Sequence, residues 1–252
     1  MKPTQTLVEW IIPAYNEERR IEQSLRDHIC YFQQKVGDTF RITVVVNNST
    51  DNTTAVVKQV MQQYPDQIRL IEIDKNIGKG GAILAGFYAA NANFVGFVDA
   101  DSSVKTPNLV EMLKYLQAQS AADGVVGSRY ADMHKKARRS LSAHIRSRIF
   151  NTIVTLLFGM HFQDTQCGAK LFRAAPLAAV LPKISVTNMA FDVDLLVQLC
   201  SAKYAIHEYA INWVSDEDTT ISNFGSTSMQ MLKSCITLRF PRLKRFDFLK
   251  NE

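Results

Sequence analysis

The sequence predicts an α/β fold in which a mostly parallel β-sheet is covered by helices on both faces. Short apolar runs alternate with longer amphipathic stretches throughout the first half of the 252-residue chain. Such alternation is typical of βαβ units, whose crossover helices cover both faces of a parallel sheet. Hydrophobic residues make up 46% of the sequence, and no Pro/Gly/Ser-rich linker divides it. We therefore expect one globular domain with a sizeable core.

Four strand and helix pairs account for the first half. Each strand is a short apolar run, and each helix is a longer stretch with apolar residues at helical spacing. In chain order the pairs are strand 7–12 with helix 17–34, strand 42–46 with helix 53–64, strand 68–73 with helix 81–91, and strand 94–98 with helix 107–119.

The pattern changes after a fifth strand, which we predict over 124–128. A long basic and apolar helix at 139–158 follows, then a strand at 170–173, a helix at 191–203 and a strand at 206–213. This second part predicts a C-terminal elaboration of the sheet.

Charge and cysteine usage limit the possible environments. The net charge is +5, with basic residues dense in 135–148 and 239–250. This asymmetry predicts an anionic partner, either a lipid surface or a nucleic acid, although a solvated helix face has the same pattern. Few aromatic residues interrupt the basic run 135–148, which disfavours nucleic acid. The four cysteines form no Cys-x-x-Cys pair and no secretory signal precedes the first strand, so we expect a reducing cytoplasm.

Asp99-Ala100-Asp101 follows the apolar strand 94–98 directly. Two carboxylates at the end of a buried strand need a compensating cation. Mg²⁺ or Mn²⁺ suits such a pair, because hard ions held by one or two carboxylates commonly carry substrate phosphates as well. The alternative is a turn or a helix cap without a ligand.

Asn76-Ile77-Gly78-Lys79-Gly80-Gly81 opens a predicted helix with three glycines and a lysine. This composition favours close approach of the backbone to a phosphate. It is not a Walker A loop, because Ile73 stands where that motif needs Gly and Gly80 stands where it needs Ser or Thr. The sequence also contains no G-x-S-x-G, H-E-x-x-H or zinc-type Cys/His spacing, which disfavours hydrolase and zinc chemistry.

Four loops follow the predicted parallel strands, at 13–17, 47–53, 74–81 and 99–103. The carboxyl ends of parallel strands lie at one edge of a sheet, so these loops should line a single crevice. Within the first loop, we predict Asn16 as the N-cap of the following helix, with Glu17 and Glu18 in its first turn.

The motifs, in this order, resemble those of family 2 glycosyltransferases with the GT-A fold, a Rossmann-like mostly parallel sheet. The similarity is greatest to the branch that contains dolichyl-phosphate glucosyltransferase and dolichyl-phosphate mannose synthase. It covers about 7–213, and the Asp-Thr-Gln-Cys-Gly segment is its most specific part. The motifs are Pro13-Ala14-Tyr15-Asn16-Glu17, Asn47-Asn48-Ser49-Thr50-Asp51, Gly78-Lys79-Gly80-Gly81, Asp99-Ala100-Asp101, Gly127-Ser128-Arg129, Asp164-Thr165-Gln166-Cys167-Gly168-Ala169-Lys170 and Phe191-Asp192-Val193-Asp194.

The resemblance implies a role for each part of the crevice on the donor side. The first loop would frame the nucleotide, Asn47 would lie at the nucleobase, Lys79 would lie beside the diphosphate, and the Asp-x-Asp pair would hold the metal ion. The residues concerned are Pro13, Ala14, Tyr15, Glu17, Asn47, Lys79, Asp99 and Asp101. Asn47 stands where such enzymes usually have Asp, which changes the expected nucleobase contact.

On the acceptor side, Arg129, Arg138 and Ser142 would hold the phosphate of the acceptor, and Arg129 is also a catalytic candidate. Gln166 and Asp192 would approach the donor sugar. If the acceptor were a hydroxyl, Asp192 or Asp194 would be the base. Asp194 replaces the usual Glu. Ser102 and Ser103 replace a glutamine found in the mannose branch, which favours the glucosyl-like branch.

The expected activity is inverting transfer of a hexose, glucose or mannose-like, from a nucleotide sugar to a polyprenyl phosphate. The resemblance divides one domain, 1–252, into a nucleotide-sugar-binding half at 1–128, an acceptor-side half at 129–213 and a basic segment at 214–252. Three alternatives stay open: a soluble or glycan acceptor, a metal-dependent nucleotidyltransferase, and a non-catalytic nucleotide-sugar-binding module.

A lipid acceptor places the protein at the cytoplasmic face of a membrane, as a peripheral protein. The segment 133–158 joins a basic flank to an apolar helix face, as interfacial helices do, although packing into the protein explains that face equally well. A second such helix is predicted around 229–236, followed by a basic tail at 239–250.

Overall fold

The structure is a computed structural model that describes residues 6–130, 137–138, 141–214 and 224–241. For residues 137–138, 141–146, 214 and 224–225 the description is limited to the backbone. Within these ranges nine strands, eight α-helices and one short 3₁₀ helix alternate along the chain.

The strands are β1 Val8–Ala14, β2 Phe40–Asn47, β3 Ile68–Ile73, β4 Phe94–Val98, β5 Gly124–Ser128, β6 Ala137–Arg138, β7 Ala169–Arg173, β8 Ile206–Ala210 and β9 Trp213–Val214. The helices are α1 Ile21–Val36, α2 Thr53–Gln63, α3 Gly78–Ala89, α4 Thr106–Ala118, α5 Leu141–Phe158, α6 Ala174–Val180, α7 Phe191–Ser201 and α8 Phe224–Arg239. The 3₁₀ helix spans Leu181–Lys183.

Seven strands form the main sheet, in the order β3-β2-β1-β4-β7-β5-β8. All neighbours are parallel except for β7, which is antiparallel to both β4 and β5. The chain builds outward from β1 to β3 on one side and continues from β4 on the other, so the strand order reverses between β1 and β4. Ligands of open α/β sheets bind beyond the carboxyl ends of the strands at such a switch point.

Hydrophobic cores lie on both faces of the sheet. Side chains of α1, α2 and α4 pack on one face around Trp10 and Phe32. On the other face α3, α6 and α7 pack around Phe97 and Phe191. A third cluster buries Val154 of α5 and Cys235 of α8 against α7, so these two helices form an outer layer beyond the second core.

The structure confirms the α/β fold and every strand and helix predicted in the first half, with shifts of a few residues at their ends. The strand predicted at 206–213 is shorter and is followed by the separate strand β9, while α6 was not predicted. The helix predicted around 229–236 is α8.

The proposed N-cap at Asn16 is wrong, because α1 begins only at Ile21. Asn16 has a positive φ of 55°. Its side-chain oxygen accepts a hydrogen bond of 2.8 Å from the backbone N–H of Thr50, in the loop after β2. A tertiary contact has therefore taken the acceptor that a helix cap would have used.

His28 of α1 is buried, and it contacts α4. Its Nδ1 lies 2.8 Å from Thr106 Oγ1, and its ring stacks on Phe32. Burial lowers the pKa of His28 from its usual 6.5 to about 4, an effect that Asp27 opposes and Lys105 reinforces. The imidazole is therefore neutral in the folded protein at neutral pH.

We predict that acid destabilises the fold through His28. The unfolded chain binds a proton below a pH of 6.5, whereas the folded chain resists it until about 4, so stability falls as the pH decreases through this window. Lowering the pH from about 7.5 to about 5 should cost about 2 kcal/mol of unfolding free energy at this site, measured by urea denaturation. His28→Gln should lose this increment, while His161→Gln, at an exposed histidine, should keep it. Equal pH dependence in wild type and His28→Gln would contradict the assignment.

Candidate active site

A cleft of about 320 Å³ opens at the switch point of the sheet, beyond the carboxyl ends of β1, β2 and β4. The four loops expected to form one crevice all contribute to it. The predicted residues that line it are Pro13, Ala14, Tyr15, Glu17, Asn47, Lys79, Asp99 and Asp101. Three residues that sequence reasoning did not assign, Arg20, Asn76 and Met189, line it as well.

The loops after β1 and β2 are joined by several hydrogen bonds. The backbone N–H of Glu17 donates to Thr53 Oγ1 at 2.8 Å, and that of Glu18 donates to Asp51 Oδ2 at 3.1 Å. Burial would raise the pKa of Asp51, but hydrogen bonds from Thr53 and from the Glu18 backbone hold it below its usual value. These contacts fix the wall of the cleft that Pro13 to Glu17 form.

Asn47, at the end of β2, holds the glycine-rich turn at the start of α3. Its Oδ1 accepts a hydrogen bond of 3.2 Å from Ile77 N–H, and its Nδ2 donates one of 3.3 Å to the carbonyl of Gly78. A carboxylate could accept the first bond but could not donate the second. The amide at this position therefore has a structural reason, besides any contact with a nucleobase.

Lys79 and the acidic side chains form the polar centre of the cleft. Lys79 Nζ lies 2.5 Å from Asp99 Oδ1. Burial would lower the pKa of Lys79, but the Asp99 and Asp192 carboxylates raise it above its usual value, so the ammonium remains charged. Burial also raises the pKa of Glu17, and the negative charges of Asp101 and Asp99 add to this effect against the influence of Arg20.

The residues present fit a divalent ion that a substrate helps to hold. Among the described side chains, no three from His, Cys, Asp and Glu come together as a complete metal cage. Asp101 Oδ1 accepts the backbone N–H of Ser103 at 2.9 Å, which orients the carboxylate at the start of its turn. Glu17, Asp99 and Asp101 concentrate negative charge in one cleft. One or two carboxylates with substrate phosphates is the usual coordination for Mg²⁺.

Gly168 makes room for Asp99. The Asp99 backbone N–H donates to the Gly168 carbonyl at 3.0 Å. A Cβ at Gly168 would overlap the Asp99 carboxylate. The glycine of the Asp-Thr-Gln-Cys-Gly segment is thus a requirement of close packing against the acidic pair.

Behind the cleft, Lys170 of β7 is fully buried. Its ammonium contacts the Asp192 carboxylate, donates to the Cys167 carbonyl at 2.8 Å, and lies 5.2 Å from the centre of the Phe97 ring. Asp192 does not line the cleft directly, but its charge acts on Lys79. Asp192 therefore interacts with the positive charges of two lysines, with Lys170 in direct contact and with Lys79 through its charge alone.

Asp194 and Gln166 also lie away from the cleft lining. Asp194 is fully buried, and its oxygens accept hydrogen bonds from the backbone N–H groups of Ser185 and Val186 and from Gln198. The Gln166 amide nitrogen is buried without a hydrogen-bond partner among the described residues. Roles of these two residues in the reaction stay predictions.

Arg129, which we predicted to hold the acceptor phosphate, is paired with Asp164 in the structure. Its guanidinium forms a two-pronged pair with the buried carboxylate of Asp164, at 2.6 and 2.7 Å, and lies over the Trp213 ring. Burial would lower the pKa of Arg129, but the hydrogen bonds and charge of Asp164 raise it. This pair fixes the Asp-Thr-Gln-Cys-Gly segment to the end of β5. A contact of Arg129 with an acceptor phosphate stays a prediction, and the side chains of Arg138 and Ser142 lie outside the described residues.

Asp164, Gly168 and Lys170 belong to the motif Asp164 to Lys170, and the sequence predicted no role for any of the three. A lysine in an otherwise apolar strand is a signal for a buried ion pair. Its partner, 22 positions along the chain, cannot be identified from the strand pattern.

A protein-family model described as "Glycosyl transferase family 2" matches residues 9–181. Two curated relatives are both described as "Dolichyl-phosphate beta-glucosyltransferase". The protein from Dictyostelium discoideum is 31% identical over 239 residues, which cover 91% of this chain and 73% of the relative. The human protein is 30% identical over 247 residues, which cover 94% of this chain and 76% of the relative.

Among solved structures, glucosyl-3-phosphoglycerate synthase from Mycobacterium tuberculosis, crystallised with Mn²⁺, uridine diphosphate and phosphoglyceric acid, superposes with a TM-score of 0.70. The match covers 93% of this chain and 78% of that chain at 16% identity, so it establishes the fold alone. The GT-A fold and the family expected from the motifs are confirmed. With a family model over 9–181 and relatives aligned along nearly all of its length, the chain belongs to glycosyl transferase family 2.

Proposed function

We propose that this protein is an inverting glycosyltransferase that moves glucose from a nucleotide sugar to a polyprenyl phosphate. The observation that carries the proposal is the cleft at the switch point, where Asp99 and Asp101 face Lys79 in a volume of about 320 Å³. The relatives named above, which share about 30% of their residues with this chain, support glucose and a polyprenyl phosphate as the substrates.

On the donor side, the loop Pro13 to Glu17 and Asn47 would receive the nucleoside, and Lys79 would contact the diphosphate. An ammonium beside this group stabilises the negative charge that develops on the leaving nucleoside diphosphate. Asp99 and Asp101 would hold a divalent ion, Mg²⁺ or Mn²⁺, which supplies further positive charge to the same leaving group.

A polyprenyl phosphate acceptor needs almost no deprotonation before it attacks the sugar. The second pKa of a phosphate monoester is about 6, so the attacking oxygen is largely ionised near neutral pH. A phosphate oxygen that attacks the sugar from the side opposite the leaving group forms one bond as the other breaks, which inverts the configuration. Arg129, Arg138 and Ser142 are the proposed acceptor side, because arginines bind phosphates through several directed hydrogen bonds.

Asp192 is better placed to support this reaction than to act as a base. Its carboxylate is in contact with the buried ammonium of Lys170. If Asp192 received a proton as a base, its carboxylate would lose its ion pair with the Lys170 ammonium. A phosphate acceptor is already largely ionised and does not require this proton transfer.

The first test measures the release of nucleoside diphosphate from UDP-, GDP- and CDP-sugars with Mn²⁺, with and without polyprenyl phosphate in detergent. We expect acceptor-dependent release from a glucose donor. Asp101→Asn retains an acceptor for the Ser103 N–H but removes the charge, and should lower release by about 100-fold or more. Mn²⁺ titration calorimetry should show weaker binding in the same variant.

Asp66→Asn, at an exposed carboxylate in the turn before β3, is the matched control and should behave as wild type. Unchanged release in Asp101→Asn would contradict the metal site. Pyrophosphate release from a nucleoside triphosphate would identify a nucleotidyltransferase instead. Binding of nucleotide sugar and metal without turnover would identify a binding module.

A second prediction separates the two roles of Asp192. Asp192→Asn leaves the Lys170 ammonium buried without its partner, so the unfolding free energy should fall by about 3–5 kcal/mol. At a temperature where the variant stays folded, release of nucleoside diphosphate should fall by less than about tenfold, because Asp192 is not the base in the proposed reaction. Loss of a general base would cost about 10²–10⁴-fold.

The double variant Lys170→Met/Asp192→Asn removes both buried charges and should recover part of the lost stability in urea denaturation. A loss of activity of about 100-fold or more in fully folded Asp192→Asn would make Asp192 the base and would favour a hydroxyl acceptor.

We further propose that α5 and α8 bind a membrane surface. Ile149 and Leu156 are exposed seven residues apart on α5, and Met229 and Ile236 are exposed with the same spacing on α8, so each pair lies on one helix face. Leu156 is 80% exposed and Met229 67%. Phe240 is exposed immediately beyond α8.

Three exposed basic residues, Arg148, Lys233 and Arg239, accompany these apolar side chains. A mixed apolar and basic surface suits an anionic lipid leaflet. The basic residues of 133–136 and 242–250 lie outside the described residues. No helix within the described ranges combines the length and the hydropathy that a membrane span needs.

Charge reversal at Arg148, Lys233 and Arg239 to Glu should therefore weaken binding to phosphatidylserine-containing vesicles. Each basic residue contributes about 1 kcal/mol, so the triple variant should lose about 100-fold in partitioning, measured by cosedimentation at low salt. The control replaces Lys35, Lys58 and Lys114 by Glu, on helices of the opposite face of the sheet. Equal loss in both triple variants, or none in either, would contradict a membrane role for this surface.

A further inference from the structure

The loop between the 3₁₀ helix and α7 is held in place by two side chains. The carboxylate oxygen Oδ2 of Asp194 accepts hydrogen bonds from the backbone N–H groups of Ser185, at 2.7 Å, and of Val186, at 2.9 Å. Asn188 Nδ2 donates to Ser234 Oγ of α8 at 2.9 Å. The segment 185–189, which we call the support loop, is thus tied to α7 at one end and to α8 near the other.

The support loop packs against the glycine-rich turn at the start of α3. The carbonyl of Thr187 accepts a hydrogen bond of 3.0 Å from the Gly81 N–H. A Cβ at Gly78 would lie 2.5 Å from that same carbonyl oxygen, and a Cβ at Gly80 would overlap the Phe191 side chain. Gly78 and Gly80 therefore allow the support loop and α7 to pack directly against the turn.

This turn carries Lys79, and its backbone is also hydrogen-bonded to the Asn47 side chain. Met189, the last residue of the support loop, lines the cleft itself. Asn47 and the support loop each contact this turn. Both contacts therefore determine the position of the Lys79 backbone, and hence of the Lys79 ammonium beside Asp99.

We propose that Asp194 is a positioning residue for donor binding, which acts through the support loop and the Thr187 carbonyl on the turn Asn76 to Gly81. The proposal deepens the proposed function and rests on it for the identity of the donor. Asp194 is fully buried, and its two oxygens are engaged by Ser185, Val186 and Gln198. The side chain has the geometry of an anchor and has no exposed oxygen for a substrate proton.

The first experiment requires no ligand. Amide hydrogen exchange is measured in wild type, Asp194→Ala, Asp194→Asn and Gln198→Ala. In Asp194→Ala the amides of 185–187 and Gly81 should exchange about tenfold faster or more, because the contact that holds the loop is lost. Asp194→Asn, whose amide oxygen can still accept both backbone N–H groups, should show a smaller change. Gln198→Ala removes the partner on the other oxygen and should match wild type.

The second experiment measures the binding of UDP, GDP and CDP with Mn²⁺ by calorimetry, and then KM and kcat for the donor. Asp194→Ala should raise the dissociation constant and KM by about tenfold to 100-fold, the order expected when a binding group is misplaced by about 1 Å. Asp194→Asn should retain most of the affinity and of kcat. If Asp194 instead received a proton during the reaction, the same variant would lose most of kcat.

Unchanged exchange at Gly81 in folded Asp194→Ala would overturn the proposal. So would a loss of kcat in Asp194→Asn as large as that in Asp194→Ala. If Asp194→Ala does not fold, Asn188→Ala tests the same loop through its other anchor and should also accelerate exchange at Gly81; no acceleration there would overturn the proposal. If wild type binds none of the three nucleotides, the proposed function fails, while the exchange data still decide the role of Asp194.

Discussion

The buried ammonium of Lys170 is the constraint on which the arrangement of the site depends. A fully buried cation requires a carboxylate and further polar or aromatic partners, since an unpaired one costs several kcal/mol. Asp192, the Cys167 carbonyl and the Phe97 ring supply them. These partners lie on α7, on the segment before β7, and on β4. The pair therefore ties the antiparallel strand β7 to the start of α7, next to β4.

The acidic pair of the cleft follows from that placement. Insertion of β7 next to β4 brings Gly168 against Asp99, where only a glycine leaves space for the carboxylate. Asp99 in turn pairs with Lys79, whose turn is held by Asn47 and the Thr187 carbonyl. The backbone segments that carry Asp99 and Lys79 are thus both held by hydrogen bonds to neighbouring elements. This preorganisation is what a site that stabilises a charged leaving group requires.

Much of the fold could be predicted from the sequence, because strand and helix patterns in βαβ units are local. The runs at 68–73, 94–98 and 124–128 coincide with β3, β4 and β5. The cleft could be predicted as well, since loops at the carboxyl ends of parallel strands converge. The pattern could not show that Asn16 contacts Thr50 and caps no helix, or that Arg129 pairs with Asp164. Such partners are distant in the chain and are chosen by packing.

The sequence by itself determined the α/β class, the order of the motifs that belongs to this family, and the loops that form the cleft. These features depend on hydrophobic period and on residue types at short spacing. Only the tertiary structure decided which motif residues support the cleft from behind instead of lining it. It placed Asp99, Asp101 and Lys79 in the cleft, as the loops predict, but gave Asp194 and Lys170 buried partners outside its lining. The reason is that a charged side chain has the same identity in both settings, and its environment is fixed by non-local burial and pairing.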